Sequence, residues 1–140
     1  MTAEFTDEEK IEAQKIYDKV VSHLRAQKQP SVGDDGCAYR GYCGLKCAVG
    51  VLITDEWYNT GLEGHSPLEA KVQLALEHSG YPTTPAWLEF YTSIQDAHDA
   101  GNRYGNCDDD GHYIAEKVSE TWEERFKNVA EHYGLEYTAP

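Results

Sequence analysis

The fold is decided by residues 36–64, GCAYRGYCGLKCAVGVLITDEWYNTGLEG, which lie in the middle of a largely helical pattern. This stretch holds three of the four cysteines of the chain, and glycines that allow tight backbone turns lie at both of its ends. The segments before and after it have apolar residues at the three- and four-residue spacing of amphipathic helices. We therefore expect a small β element surrounded by helices.

The first half of this stretch is typical of a β-hairpin. Segment 37–40 is bounded by glycine, and residues 41–44 can turn the chain back onto segment 45–48. The run 49–53 is apolar on every side, so its pattern fits a buried strand and a buried helix equally, and both place it in the core. Residues 54–58 then have the signals of a cap and the first turn of a short helix.

Four longer segments are predicted to be helices, because each begins with a capping signal and continues with an apolar stripe. They run from Thr6 to before Pro30, from Ser66 to Gly80, from Thr84 to about residue 99, and from about His112 to Tyr133. The predicted core positions of the last three helices include Leu68, Val72, Ala75, Leu76, Trp87, Tyr91, Ile94, His98, Val118, Trp122, Phe126 and Val129. We expect the stripe around Trp122 to pack against that of the first helix.

These elements predict a helix-rich α+β fold in which four main helices pack around a small β-hairpin, as a single domain over residues 1–140. The 25 acidic and 12 basic residues give a formal charge of −13. This charge opposes binding to nucleic acid and to anionic membranes, and it favours a partner with a basic surface. The acidic first ten residues and the lack of an apolar run of about 20 residues predict a cytoplasmic protein with reduced cysteines.

The central stretch contains a series of short segments: CAYRG at 37–41, GLKCAVG at 44–50, LI at 52–53, DE at 55–56 and LEG at 62–64. Together with the first helix, the pair His98-Asp99 and the last helix with Trp122, they resemble a family of small uncharacterised proteins of bacteriophages and bacterial chromosomes. The resemblance implies a mobile-element origin and no particular activity. Cys43 and the loop 101–111 are additions to the family pattern, so a site built on Cys43 or Cys107 would be particular to this chain.

The four cysteines are first considered as possible metal ligands. Cys37, Cys43 and Cys47 lie close together in sequence, and Cys107 or His112 could complete a tetrahedral zinc site. The spacing C-x5-C-x3-C lacks the C-x2-C pairs that make such a site specific, and free cysteine is commonly a core residue. We therefore predict core thiols and no metal or other cofactor, with zinc as the alternative. Cys47 should be the least accessible thiol and Cys107 the most accessible.

A cysteine nucleophile is a second kind of chemistry. Segment 43–48 resembles the start of the nucleophile helix in papain-like peptidases, so Cys43 or Cys47 with His112 would be the catalytic pair. The helical spacing after His112 opposes this, because that fold needs a strand there. No catalytic residue is therefore assigned.

Two acidic motifs are interpreted structurally. Asp108, Asp109 and Asp110, with Asp99 nearby in sequence, could hold calcium or magnesium, but they lack the spacing and the distal glutamate of an EF-hand loop, so we expect a solvated turn. Adjacent helical residues diverge by about 100°, and His98 with Asp99 is therefore expected to be a histidine at the edge of the core with a hydrogen-bonded partner.

The sequence thus favours a non-enzymatic binding protein encoded by a phage or prophage, which acts on a host protein or a small ligand in a host-interaction or anti-defence role. A small cysteine hydrolase and a zinc-stabilised structural module are the alternatives. The candidate contact region consists of Tyr39, Arg40, Tyr42, Trp57, Tyr58, His98 and Asp99.

Overall fold

A computed structural model describes residues 5–34 and 36–140. Over these residues the elements are α1 (Asp7–Gln27), β1 (Val32–Gly33), β2 (Gly36–Cys37), α2 (Ala70–His78), α3 (Pro85–Asp99) and α4 (Ala115–Tyr133), with short 3-10 turns at Tyr42–Gly44, Thr60–Leu62 and Tyr104–Asn106. Strands β1 and β2 form an antiparallel hairpin. The helix-rich α+β fold is therefore confirmed. Residues 1–4, which belong to the acidic first ten residues, and Asp35 lie outside the described residues.

Helix α1 begins at the predicted capping box. The Glu9 backbone N–H donates to Thr6 Oγ1 at 3.1 Å, and the Thr6 N–H donates to Glu9 Oε1 at 3.0 Å. These two bonds satisfy amide donors that a helix N-terminus otherwise leaves unpaired. The helix ends at Gln27, and Lys28 then adopts the left-handed conformation with φ 68°, which turns the chain away before Pro30.

The hairpin lies earlier in the chain than predicted. Val32 pairs with Cys37 and Gly33 with Gly36, and Gly36 adopts a φ of 104° that favours glycine. The predicted return of segment 37–40 onto 45–48 is reduced to a single bridge between Arg40 and Lys46. The 3-10 turn at Tyr42–Gly44 between these two residues prevents a longer ladder.

The apolar run 49–53 is buried, as predicted, except for the half-buried Val51, but it forms consecutive turns and neither a strand nor a helix. Its close packing depends on Gly50, because a Cβ there would lie 2.0 Å from the carbonyl oxygen of Tyr39. The predicted short helix at 54–58 is a single turn, in which the Tyr58 N–H donates to the Thr54 carbonyl at 3.0 Å.

Two helices begin later than predicted. The Ser66 N–H donates to Glu69 Oε2 at 2.8 Å, but this bond closes a turn, and α2 begins only at Ala70. Leu68 lies in that turn and is exposed, so its prediction as a core residue is wrong. Helix α4 begins at Ala115 because the His112 N–H donates to Asp108 Oδ1 at 2.9 Å, which holds His112 in the preceding turn.

The core lies where α3 and α4 pack together and α1 covers them. The Trp122 indole N–H donates to the His98 carbonyl at 3.0 Å, and the Tyr17 hydroxyl donates to the Phe126 carbonyl at 2.9 Å. Arg25 of α1 also pairs with Glu123 of α4 at 2.6 Å. The expected packing of the Trp122 face against α1 is therefore confirmed. None of the helices over the described residues combines the length and the apolar character needed to cross a membrane.

Candidate functional site

A buried histidine connects the central stretch to α3. His98 is fully buried, and its Nε2 lies 2.8 Å from the backbone nitrogen of Ser31. A backbone N–H can only donate, so Nε2 must accept and the neutral ring must carry its proton on Nδ1. Nδ1 then donates to Asp99 Oδ1 at 2.9 Å. This tautomer is assigned from the hydrogen-bond partners, and the predicted pairing of His98 with a hydrogen-bonded partner is confirmed.

The network extends through Gln95 on the same helix. Gln95 Nε2 donates to Asp99 Oδ1 at 2.8 Å, and Gln95 Oε1 accepts the backbone N–H of Val49 at 3.0 Å. Ser31 lies just before the hairpin, and Val49 lies in the buried run after it. The last turns of α3 therefore bind the chain on both sides of the hairpin through buried backbone donors, which would be costly to leave unpaired.

Cys37 lies beside this network. One ligand-type atom from each of Cys37, His98 and Asp99 lies within 4.8 Å of the other two. Burial, with a further contribution from Asp99, raises the pKa of Cys37 to about 12, so the group is a thiol at neutral pH. Coordination through His98 Nδ1 would move the ring proton to Nε2, where it would face the Ser31 N–H. In this structure both ring nitrogens of His98 are therefore engaged in hydrogen bonds.

The structure does not gather the alternative zinc ligands. Cys47 is fully buried, Cys43 is exposed, and His112 lies in an exposed group with Asp108 and Asp110. Over residues 5–34 and 36–140, no group of three or more metal-type ligand atoms within 4.8 Å contains two cysteines. Cys37, Cys43, Cys47, Cys107 and His112 therefore do not converge on one tetrahedral site.

The accessibility of the thiols follows the sequence prediction in part. Cys47 is the least exposed, as expected, and burial raises its pKa well above the ordinary value. The prediction that Cys107 is the most exposed is wrong, because Cys107 is half-buried and pairs with Tyr113 in a bridge. Cys43, in the 3-10 turn where it adopts a φ of 60°, is the exposed thiol.

Thiol labelling should reflect this order. We expect a maleimide to modify Cys43 first, Cys37 and Cys107 more slowly, and Cys47 only when the chain unfolds, because modification needs both access and thiolate. Mass spectrometry of tryptic peptides after timed labelling would measure the four rates, and a Cys43→Ser variant would be the control. Labelling of Cys47 in the folded protein as fast as Cys43 would contradict the burial described above.

The acidic turn agrees with its structural interpretation. Asp108 Oδ1 accepts the backbone N–H groups of Asp110 and His112, both at 2.9 Å. The bond from His112 is the main reason that the pKa of Asp108 is lowered. Asp99, the fourth residue of the suggested calcium or magnesium set, belongs instead to the His98 network. The three aspartates thus form an exposed turn before α4.

The candidate contact residues divide into buried and exposed members. Tyr39 and His98 are buried, and the Tyr39 hydroxyl donates to the His65 carbonyl, so both support the fold. Arg40 is held over the Tyr58 ring at 4.4 Å and donates to the Ile53 carbonyl. Tyr42 and Trp57 are exposed, and Asp99 is half-exposed. Tyr42 and Trp57 are therefore the exposed aromatic members of this set, and the Asp99 carboxylate is also partly accessible to a partner protein.

One of them forms a groove that the sequence does not reveal. Trp57 lines a cavity of about 380 Å³ together with Leu62, Lys71, Leu74, Ala75 and His78. The Trp57 ring stacks on His78 with 4.1 Å between ring centroids. The sequence feature that could have indicated this groove is Leu74, because it is an apolar residue of α2 that lies outside the buried stripe of Val72, Ala75 and Leu76. We call this cavity the Trp57 groove.

A smaller cleft of about 210 Å³ lies beside the His98 network. Glu63, Asp96 and Asp99 contribute acidic side chains to it, and Cys37 lines it as well. The Glu63 carboxylate accepts the backbone N–H groups of Tyr39 and Arg40 at 2.8 and 3.1 Å. Burial and the neighbouring Asp99 raise the pKa of Asp96. Glu63 thus has a structural role in this cleft.

No protein-family model, curated protein or solved structure matches this chain.

Proposed function

We propose that this chain is a non-enzymatic binding protein that occupies a basic surface of another protein. It would act in the bacterial cytoplasm as a host-interaction or anti-defence protein of phage or prophage origin, which is the origin that the family resemblance implies. The strongest support is the acidic surface. The chain has 25 acidic and 12 basic residues, and two of the arginines are engaged within the fold. The acidic residues exceed the basic ones by 13, and this excess of negative charge attracts a basic partner.

The two engaged arginines already have acidic partners and backbone acceptors within the fold. Arg25 donates to both carboxylate oxygens of Glu123, at 3.0 and 2.6 Å, and to the carbonyl of Thr138. Arg40 is fixed by the Ile53 carbonyl, and it pairs with Asp55 at 2.7 Å. Neither guanidinium is therefore available to neutralise acidic groups elsewhere on the surface.

The central network supports binding over thiol catalysis. The acceptor nitrogen of His98 already receives the Ser31 N–H, so it cannot also take a proton from a nucleophile. Cys37 and Cys47 have raised pKa values because of burial, which opposes the thiolate that a nucleophile requires. These groups are bound into the fold instead.

Affinity capture at two salt concentrations tests the proposal. The immobilised protein is exposed to bacterial lysate at low salt, retained proteins are identified, and the purified partner is titrated by calorimetry. Raising the salt from about 50 mM to about 500 mM shortens the screening length severalfold, so the affinity should fall at least about tenfold. An affinity that is the same at both concentrations would remove the acidic surface from the proposal.

Elemental analysis of the same preparation distinguishes the alternatives. One zinc per chain, with loss of the fold on chelation, would favour the zinc-stabilised module. Ester or peptide hydrolysis that Cys43→Ser abolishes would favour the cysteine hydrolase. A stoichiometric basic partner without either result supports the binding protein.

A further inference from the structure

We infer that the Trp57 groove is the docking site for the partner, and that it takes an apolar side chain flanked by lysine or arginine residues of a protein segment. This inference rests on the proposed function and adds to it the place of contact and the chemistry that is recognised.

The first reason is the exposure of the groove walls. Trp57 is 39% exposed, whereas Trp87 and Trp122 are 3% and 2% exposed. Leu74, which also lines the cavity, is 54% exposed, and the buried side chains of Leu62 and Ala75 line it as well. An apolar side chain placed between these walls would remove a tryptophan and a leucine from water. Buried tryptophans are among the residues that contribute most to binding at protein interfaces.

The second reason is that hydrogen bonds already hold the walls in place. The Trp57 and Tyr58 N–H groups both donate to the Thr54 carbonyl, and the Thr54 N–H donates to Ser79 Oγ at 3.0 Å. The latter bond ties the turn that carries Trp57 to the end of α2. The Trp57 ring also stacks on His78 of that helix. Because the walls are ordered before binding, little conformational entropy is lost when a ligand enters.

The third reason is the charge beside the groove. Asp55 and Glu56 directly precede Trp57, and all three are exposed. Glu77 is also exposed, and it lies three residues after Leu74 on α2, which makes the two side chains neighbours on the helix surface. Lys71 is a basic member of the lining. Because Arg40 pairs with Asp55 at 2.7 Å, Glu56 and Glu77 are the carboxylates set against Lys71. Basic residues on both sides of an apolar anchor match the remaining charge of the rim.

Trp57 provides a direct readout. The probe is a blocked synthetic peptide, Lys-Lys-Leu-Leu-Lys-Lys, titrated into the full chain while acrylamide quenching of tryptophan fluorescence is followed. Trp87 and Trp122 are already buried, so the accessible quenching comes mainly from Trp57. We expect the peptide to protect this fluorescence in a saturable manner. Peptides in which alanine replaces leucine, or glutamate replaces lysine, should give no protection.

A matched pair of variants locates the site. Leu74→Ala should weaken the protection by about tenfold, as expected for loss of an interface anchor. Ile11→Ala removes a side chain that is 62% exposed on α1, away from the groove lining, and should leave the protection unchanged. Circular dichroism would confirm that both variants are folded. Equal effects of the two substitutions, or no saturable protection by the leucine peptide, would overturn the inference.

The outcomes separate this inference from the proposed function. A basic protein that binds with the expected salt dependence while neither it nor the peptide protects Trp57 would remove the groove and leave the proposed function in place. Protection by the peptide without any salt-dependent basic protein partner would leave the groove as a binding site and contradict the proposed function.

Discussion

Trp122→Ala should lower the free energy of unfolding by about 3–5 kcal/mol, the cost typical of removing a large aromatic side chain from a core. The indole is 2% exposed, and its N–H donates to the His98 carbonyl at 3.0 Å. Its surroundings are closely packed, because a Cβ at Gly101 would lie 2.4 Å from the indole nitrogen. Alanine would thus leave a cavity and remove one donor from the His98 carbonyl, which also accepts the Gly101 N–H at 3.0 Å. Urea unfolding followed by circular dichroism would measure the change.

Trp57→Ala is the matched control for this experiment. It removes the same side chain from an exposed position, so the loss of stability should be below about 1 kcal/mol. A loss for Trp122→Ala as small as that for Trp57→Ala would contradict the packing of α3 against α4.

The parts of the fold that follow from short-range signals were predictable. The capping box of α1 depends on Thr6 and Glu9, which are three residues apart, and Pro30 limits where that helix can end. The stripe from Trp87 to His98 likewise identifies the buried face of α3. These signals are local because helical hydrogen bonds join residues four apart.

The positions of the hairpin and of the start of α2 are not determined by short-range sequence signals, because those signals fit more than one structure there. The sequence offers two places for a tight return, at 33–36 and at 41–44, and both contain glycines. The second place forms a 3-10 turn, because packing of Gly41 against Val32 and of Gly50 against Tyr39 shapes the chain there. Similarly, the bond between Ser66 and Glu69 fits a turn as well as a helix start.

The candidate sites depend on contacts between distant residues. His98 was predicted to lie on the apolar stripe, but its partner Ser31 is 67 residues away in the chain. That partner determines the tautomer and hence the chemistry of the histidine. The Trp57 groove forms because residues 54–62 pack against α2, and the sequence shows Trp57 and Leu74 only as two separate apolar residues. The partial exposure of Trp57 and Leu74 is set by tertiary packing, which a local sequence pattern does not report.

His98→Ala should also lower the free energy of unfolding by about 3–5 kcal/mol, because it creates a cavity and leaves a buried backbone donor without an acceptor. Ser31, whose N–H donates to Nε2, is itself fully buried, so water cannot readily replace the ring. Denaturant unfolding would give the stability, and amide hydrogen exchange would report on the Ser31 N–H directly. That amide should exchange slowly in the parent chain and much faster in the variant.

Two further substitutions show whether the hydrogen bonds or the ring volume matter more. His98→Gln keeps an amide oxygen that can accept from Ser31 and an amide N–H that can donate to Asp99, so it should restore at least about half of the lost stability. Asp99→Asn keeps an acceptor for His98 Nδ1 and should cost below about 1 kcal/mol. If His98→Gln were as damaging as His98→Ala while Ser31 exchange stayed slow in both, the ring would act by filling space alone, and the connection from α3 to the hairpin would have to lie elsewhere.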